Sequence, residues 1–282
     1  MKSIIKKSIP AGVKNIIKKI MKKNNTLQSR FSTSISDNQI YPDFCIKAST
    51  DLLIFSNFRR NDVYRKILEH VTYEEGLAYL SEIKKHNFDL SKNIEFLKKN
   101  DEWGNPELFD YPEIGKISSS TLRYTKVYTD LASLFKNLDG LKICEIGVGY
   151  GGQCRLLNSV SSPSQYTLVD IKPALMLTQC YLDNYILNSV LSYKTMNELD
   201  IQHYDMVISN YAFTELPRSI QDVYLKKVIL NSKKGYITYN EISPSYFKSY
   251  KREELLSIIP NARIIEEKPL THKNNCIIIW GD

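Results

Sequence analysis

Four of the chain's eleven glycines fall within six residues, at Gly147, Gly149, Gly151 and Gly152, between the apolar run Lys142 to Ile146 and a helical pattern that starts near Gln153. A strand that turns into a helix through glycines brings backbone close to a ligand and leaves the first helix N–H groups free to face it. The rest of the chain has to accommodate that βα unit. After Gly140 it does: the short apolar strands LKICEIG, YTLVDI, YDMVISN and GYITYNE alternate with stretches of helical length, the pattern of parallel strands joined by crossovers. The end of the chain breaks the alternation. Ala262 to Leu270 and Asn275 to Trp280 read as two strands separated only by Thr271 to Asn274, too short for a helical crossover, so they are expected to pair antiparallel.

Upstream the rhythm is helical. Residues 24–40 are polar and rich in Ser and Asn, as in a linker, and Asp62 to His70, Thr72 to His86 and Ser91 to Lys99 carry apolar residues three and four apart. A turn-rich stretch from Asn100 to Pro106 follows. A further helix is predicted from Ser118 to Thr121 onward, through Leu122, Val127, Leu131, Phe135 and Leu138, with Gly140 as its stop. Three parts result: a leader over 1–30, a helical region over 31–117 and an α/β domain over 118–282.

Charge separates the leader from the rest. The net +7 is the sum of +9 in residues 1–30, which hold eight Lys, Arg30 and no acid, and −2 in residues 31–282, with 29 bases against 31 acids. A nearly neutral body argues against a nucleic-acid groove, which needs clustered Lys and Arg. In the leader Val13, Ile16, Ile17, Ile20 and Met21 share one helical face and Lys14, Lys18, Lys19, Lys22 and Lys23 take the rest. Such a helix either attaches to an anionic membrane surface, through residues 1–25, or docks on its own protein. The five cysteines form no C-x-x-C pair, which points to a reducing, cytoplasmic setting.

The glycine loop is compatible with two ligands. Gly147, Gly149 and Gly152 satisfy G-x-G-x-x-G, and Asp170 closes the next strand where a ribose-binding acid belongs; NAD and S-adenosylmethionine both present an adenosine ribose to that position. Three features favour the methyl donor. Glu145, in the strand end, suits the ammonium of a methionine moiety and would repel a pyrophosphate. Ser209 to Leu216 form a polar and aromatic lip at the carboxyl edge of the sheet. The chain after the glycines is consumed by one sheet and its hairpin, which leaves no separate substrate domain.

In these residues the chain resembles the sugar O-methyltransferases of bacterial surface-polysaccharide gene clusters, within the class I S-adenosylmethionine-dependent methyltransferases. The resemblance runs from about Phe58 onward. It is strongest at Ser119-Ser120-Thr121-Leu122-Arg123-Tyr124, at Glu145 to Cys154 and at Ser209 to Leu216, with Asn100-Asp101 and Gly104-Asn105-Pro106 in support. It implies a Rossmann-like methyltransferase sheet and methylation of a sugar hydroxyl, on a nucleotide sugar or a lipid-linked glycan. It also implies a cofactor lined by Gly147, Gly149, Gly151, Asp170 and the segment near Asn197.

Methyl transfer from a sulfonium is an in-line displacement, so the protein supplies alignment, exclusion of water and a place for the acceptor's proton. A sugar hydroxyl needs a general base, or a metal that lowers its pKa. Glu215, following the lip, is the candidate base, and otherwise a carboxylate at the start of a helix. Asn210 is placed to line the cofactor cleft and Tyr211 the acceptor side. Arg123 and Tyr124 are placed to reach the donor carboxylate or a substrate phosphate, Arg123 otherwise serving in a surface ion pair. The four histidines show no metal spacing, and His203 and His272 are reserve bases. The alternatives are an NAD(P)-dependent sugar-modifying oxidoreductase and a non-catalytic binding protein on the same fold.

Overall fold

The computed structural model describes residues 39–86 and 88–282. The expected leader therefore lies outside the described residues. Among the described residues five helices come first, and local capping explains where four of them begin. After α1 (Ile40–Thr50), the Asp51 carboxylate accepts the N–H groups of Leu53 and Ile54 to open α2 (Leu52–Phe55), and Asn61 opens α3 (Asp62–Ile67) in the same way. Thr72 and Glu75 form a reciprocal capping box on α4 (Tyr73–Lys84), and Asp89 caps α5 (Leu90–Lys98). A small antiparallel hairpin, β1 (Phe109–Tyr111) and β2 (Gly115–Ile117), follows the turn-rich stretch, in a region expected to be helical.

Helix α6 (Ser119–Phe135) is capped by the Ser118 hydroxyl and ends at Lys136, whose φ of 64° stops it earlier than Leu138. Then follow β3 (Lys142–Ile146), α7 (Gly152–Val160), β4 (Gln165–Val169), α8 (Lys172–Leu182), β5 (Val190–Lys194), β6 (Tyr204–Asn210), α9 (Arg218–Lys227), β7 (Ser232–Tyr239), α10 (Arg252–Ile258), β8 (Arg263–Ile265) and β9 (Cys276–Trp280). They form one sheet in the order β5-β4-β3-β6-β7-β9-β8, parallel except for β9, which runs antiparallel to both β7 and β8. This is the mostly parallel Rossmann-like sheet of the class I methyltransferase fold, preceded by a helical region. The order reverses at β3, and β3 and β6 each end beside the glycine loop.

Both faces of the sheet are covered. Ile143 packs into one buried cluster with α1, α6, α7 and α8, whereas Cys144 and Ile146 join a second with Tyr224 and Leu225 of α9 and Leu255 of α10. Two elements differ from expectation. Val190–Lys194 is a strand the hydrophobic pattern does not reveal, because it lies at the sheet edge with every residue at least partly exposed. The first hairpin strand stops at Ile265, well short of Leu270; Pro269 has no N–H to offer a ladder, and Glu266 to Asn275 form a long loop.

A buried polar knot ties the helical region to the domain. Arg59 is fully buried and donates to both oxygens of Glu69 at 2.7 and 3.2 Å, to Asp101 Oδ1 and Asn100 O at 3.0 Å, and to Ser118 Oγ at 3.1 Å. Asp101 in turn accepts the Ser118 N–H at 2.7 Å and the Thr121 hydroxyl at 2.8 Å, so it helps fix the start of α6. Asn100 Nδ2 donates to Gly152 O at 3.1 Å, which anchors the first residue of α7. Asn100-Asp101 and Ser118 to Thr121 thus position the glycine loop from behind.

Candidate active site

The loop between β3 and α7 requires its glycines. Gly147, Gly149 and Gly151 have φ of 79°, 58° and 88°, the left-handed region that side chains disfavour. A Cβ on Gly147 would lie 2.0 Å from that of Ala212, so the loop after β6 packs directly on the glycine loop. A Cβ on Gly149 would meet Leu68 Cδ1 at 3.0 Å, which places the turn after α3 against it. The Thr178 hydroxyl of α8 holds Gly149 O at 2.8 Å.

Two acids stand at this loop. Asp170, just past β4, accepts the N–H of Gly149 at 3.1 Å and that of Ile171 at 2.7 Å, so the expected ribose acid is physically joined to the loop. Glu145 is buried at the end of β3 and accepts the Tyr166 hydroxyl at 2.7 Å. Burial pushes its carboxyl up to about 8, with Asp170 adding to the rise and the Tyr166 hydrogen bond opposing it.

The lip after β6 is built from a strained turn. Tyr211 has φ 67° and ψ −36°, an unfavourable conformation for an aromatic residue, and its N–H is tied to Thr238 O at 3.2 Å. A single 3-10 turn, Ala212–Glu215, follows, fixed by the Ser209 hydroxyl, which accepts from Phe213 N and donates to Ile146 O, both at 3.0 Å. Glu215 is half-buried and accepts from Asn240 Nδ2 at 2.5 Å; burial raises its carboxyl to about 7. Asn210, at the end of β6, accepts from the Thr238 hydroxyl at 3.4 Å.

The Tyr211 ring reaches residues the sequence does not single out. Its hydroxyl donates to Glu267 Oε1 at 2.5 Å, and Glu267, 4% exposed, also accepts from Thr271 N at 3.0 Å and the Thr271 hydroxyl at 2.9 Å. Tyr79 of α4 also engages Tyr211. Burial first, then Tyr79 and Glu267, keep the Tyr211 phenol protonated well above its ordinary range. Glu267 and Thr271 lie in the loop that follows the premature end of the hairpin strand, and no local motif marks them.

The other expected residues separate. Arg123 lies on α6 near Tyr79, Tyr124, Tyr211 and Glu69, and donates to Leu68 O at 3.2 Å. Tyr124 turns inward, its ring 6.0 Å from that of Tyr150 and against Gly152, so it packs the loop instead of opening onto the lip. Asn197 is exposed in a 3-10 turn between β5 and β6. His203 precedes β6, at the edge of the sheet opposite the glycine loop, and is removed as a reserve base. His272 is exposed in the β8–β9 loop, beside Thr271. Among the described residues no group of three or more His, Cys, Asp or Glu is arranged to hold a metal, and no helix is long and apolar enough to cross a membrane.

No family model matches the chain, and no curated protein matches it. Solved structures do. A Thermoplasma acidophilum protein matches with TM-score 0.42 at 13% identity, covering 68% of this chain and 96% of that one. The methyltransferase domain of bacterial CtHen1 matches with TM-score 0.42 at 14% identity, over 56% of this chain and 96% of that one. Magnesium protoporphyrin IX methyltransferase from Synechocystis, with bound SAM, matches with TM-score 0.43 at 16% identity, over 56% of this chain and 77% of that one. Such likenesses concern the fold alone, and the chemistry in those names belongs to those proteins.

Proposed function

We propose that the protein is an S-adenosylmethionine-dependent O-methyltransferase whose acceptor is a sugar hydroxyl. The observation that carries the reading is the juxtaposition, at the carboxyl edge of one sheet, of the left-handed glycine loop after β3, Asp170 after β4 and the lip after β6. The residues fit the donor. Gly147, Gly149 and Gly151 hold the left-handed loop backbone that follows β3, Asp170 stands where ribose hydroxyls need an acceptor, and Glu145 supplies a carboxyl group for the ammonium. When bound, the donor supplies an activated methyl group on a sulfonium.

The chain's own residues do the rest. Glu215, raised to about 7 by burial, sits close to the pH at which a base both accepts and releases a proton efficiently, and Asn240 orients it. It takes the proton of the acceptor hydroxyl as the oxygen gains its methyl group. Tyr211, whose single hydroxyl proton goes to Glu267, lines the acceptor side with its ring and phenolic oxygen. The sugar assignment rests on the family resemblance of the Ser119 to Tyr124, glycine-loop and lip segments. The same reading puts the enzyme in the cytoplasm, with the basic leader at an anionic membrane surface.

Titration calorimetry with S-adenosylmethionine, S-adenosylhomocysteine and NAD(H) tests the cofactor. Binding of the two adenosyl ligands is expected, and binding of NAD alone removes the proposal. Mass spectrometry of candidate sugars incubated with labelled donor, with and without EDTA, then tests the acceptor and the need for a metal.

A further inference from the structure

Among the described residues the connection from β5 to β6 is the one parallel crossover of the sheet that carries no α-helix. Residues 195–203 make only the 3-10 turn Met196–Glu198 before β6 begins, where such a crossover ordinarily takes about a dozen residues or more and a helix. The short return covers little. Met196 and Leu199 join Val169 of β4 in the second buried cluster, but β5 beyond it stays open. Val190 is 69% exposed, Ile186 before the strand and Ile201 in the return are exposed, and Ser192 and Lys194, on the same face as Val190, are half-exposed.

The free edge of β5 is open as well. Its strand neighbour is β4 alone, in the register Val190↔Gln165 to Lys194↔Val169. The Val190 N–H donates to Ser164 O at 3.1 Å and the Asp170 N–H to Lys194 O at 3.4 Å, so Val190, Ser192 and Lys194 turn their backbone groups toward β4. The alternation leaves the N–H and C=O of Leu191 and Tyr193 on the outer edge, and no other backbone group among the described residues takes them up. Natural sheets blunt such an edge with charges, proline or a bulge. This strand, VLSYK, has no proline, a continuous register, and one charge, Lys194, at its end.

We infer that this edge binds a second copy of the same chain, β5 pairing antiparallel with the partner's β5 about a two-fold axis at Ser192. The unpaired backbone groups select that register. With Ser192 opposite the partner's Ser192, Leu191 exchanges both hydrogen bonds with the partner's Tyr193, and Tyr193 with the partner's Leu191, so every open N–H and C=O of the two strands is used. Sliding by two residues sets Tyr193 against the partner's Ser189, or Leu191 against the partner's Thr195, and the N–H groups of Ser189 and Thr195 already go to Asn158 and Glu198. Charge agrees with the pairing: Val190 meets the stem of the partner's Lys194, and the two ammonium groups stay at opposite ends. The contact is isologous and closes on itself. It does not rest on the proposed reaction, since the two carboxyl edges point in opposite directions and each candidate site stays within its own chain.

Sedimentation velocity of the full chain at about 10 and 100 μM, a range that reports micromolar association, tests the pairing. Wild type is expected to sediment as a dimer at the higher concentration, and a monomer there overturns the inference. Ser192→Lys and Ser192→Glu each set like charges face to face at the axis, on a half-exposed position of the strand. Each should weaken dimerisation about tenfold or more, and an equimolar mixture of the two should restore it as a heterodimer. Dimerisation that both charges leave untouched arises elsewhere in the chain and overturns the inference, as does a mixture that stays monomeric. Should the variants not fold, hydrogen exchange on wild type decides. The Leu191 and Tyr193 amides must be protected at the higher concentration although their own chain supplies no acceptor, and free exchange there overturns the inference.

Discussion

The Tyr211 hydroxyl donates to Glu267 at 2.5 Å across 56 residues of chain, joining the turn after β6 to the loop before β9. The bond fixes a ring whose backbone is itself strained, and the Thr271 N–H and hydroxyl hold the carboxylate in place. Strain of this kind persists only where surrounding contacts over-determine it.

Tyr211→Phe is therefore expected to cost about 1.5–3 kcal/mol of stability, the range for a hydrogen bond to a charged group. Glu267→Gln should destabilise as well, and in a double-mutant cycle the two changes should couple by more than about 0.5 kcal/mol. Urea denaturation of the four proteins measures the coupling. Strict additivity would show that the two side chains do not act as a unit.

Glu215→Gln separates stability from turnover. The Glu215 carboxyl titrates near 7 when folded, against an ordinary value of 4.5. The stability associated with its protonated form is complete below pH 4.5 and is lost as pH rises through about 7. Wild type should thus lose on the order of 2–3 kcal/mol over that window, and the glutamine variant should be the more stable protein at pH 8. Donor affinity should persist while methyl transfer falls. Parallel stability curves for both proteins would rule out the raised carboxyl, and undiminished transfer would remove Glu215 as the base.

The sheet and the loop were legible because their signals are local. Clustered glycines announce left-handed backbone, and alternating strands and helices announce crossovers. Val190–Lys194 escaped because an edge strand has no buried face to write an apolar pattern. Arg59, in Phe58-Arg59-Arg60, reads as surface charge; only Glu69, Asp101 and Ser118, brought together by the fold, make it the centre of a buried knot. Glu267 escaped for the same reason, since its partner Tyr211 is remote in sequence. The motif residues from Ser118 to Thr121 were legible as a group, yet the structure shows them fixing a helix start and not meeting the lip.

That knot yields a prediction of stability alone. Arg59→Met removes a guanidinium with no exposed side-chain surface and strands the Glu69 and Asp101 carboxylates, each 6% exposed. Breaking one side of a buried ion cluster costs about 3–5 kcal/mol, because the surviving charges keep their desolvation penalty. The loss should appear as a lower urea midpoint with an unchanged slope. A loss below about 1 kcal/mol would mean that water reaches the knot.

Glu145 makes donor binding depend on pH. Its carboxyl, raised to about 8 by burial, is largely protonated at neutral pH, whereas an ammonium ligand is held by the ionised form. Affinity for S-adenosylhomocysteine should therefore rise with pH between about 6 and 8, through the folded value, and binding near pH 7 should release protons to the buffer. The ligand's own α-ammonium loses its proton on the alkaline side, so the gain should level off above the folded value. Glu145→Gln should bind more weakly and lose the part of the rise that comes from this carboxyl. Calorimetry in two buffers of different ionisation enthalpy reads the proton directly. A wild-type affinity that is flat over this range, with no proton released, would place the ammonium elsewhere and leave Glu145 as a buried partner of Tyr166.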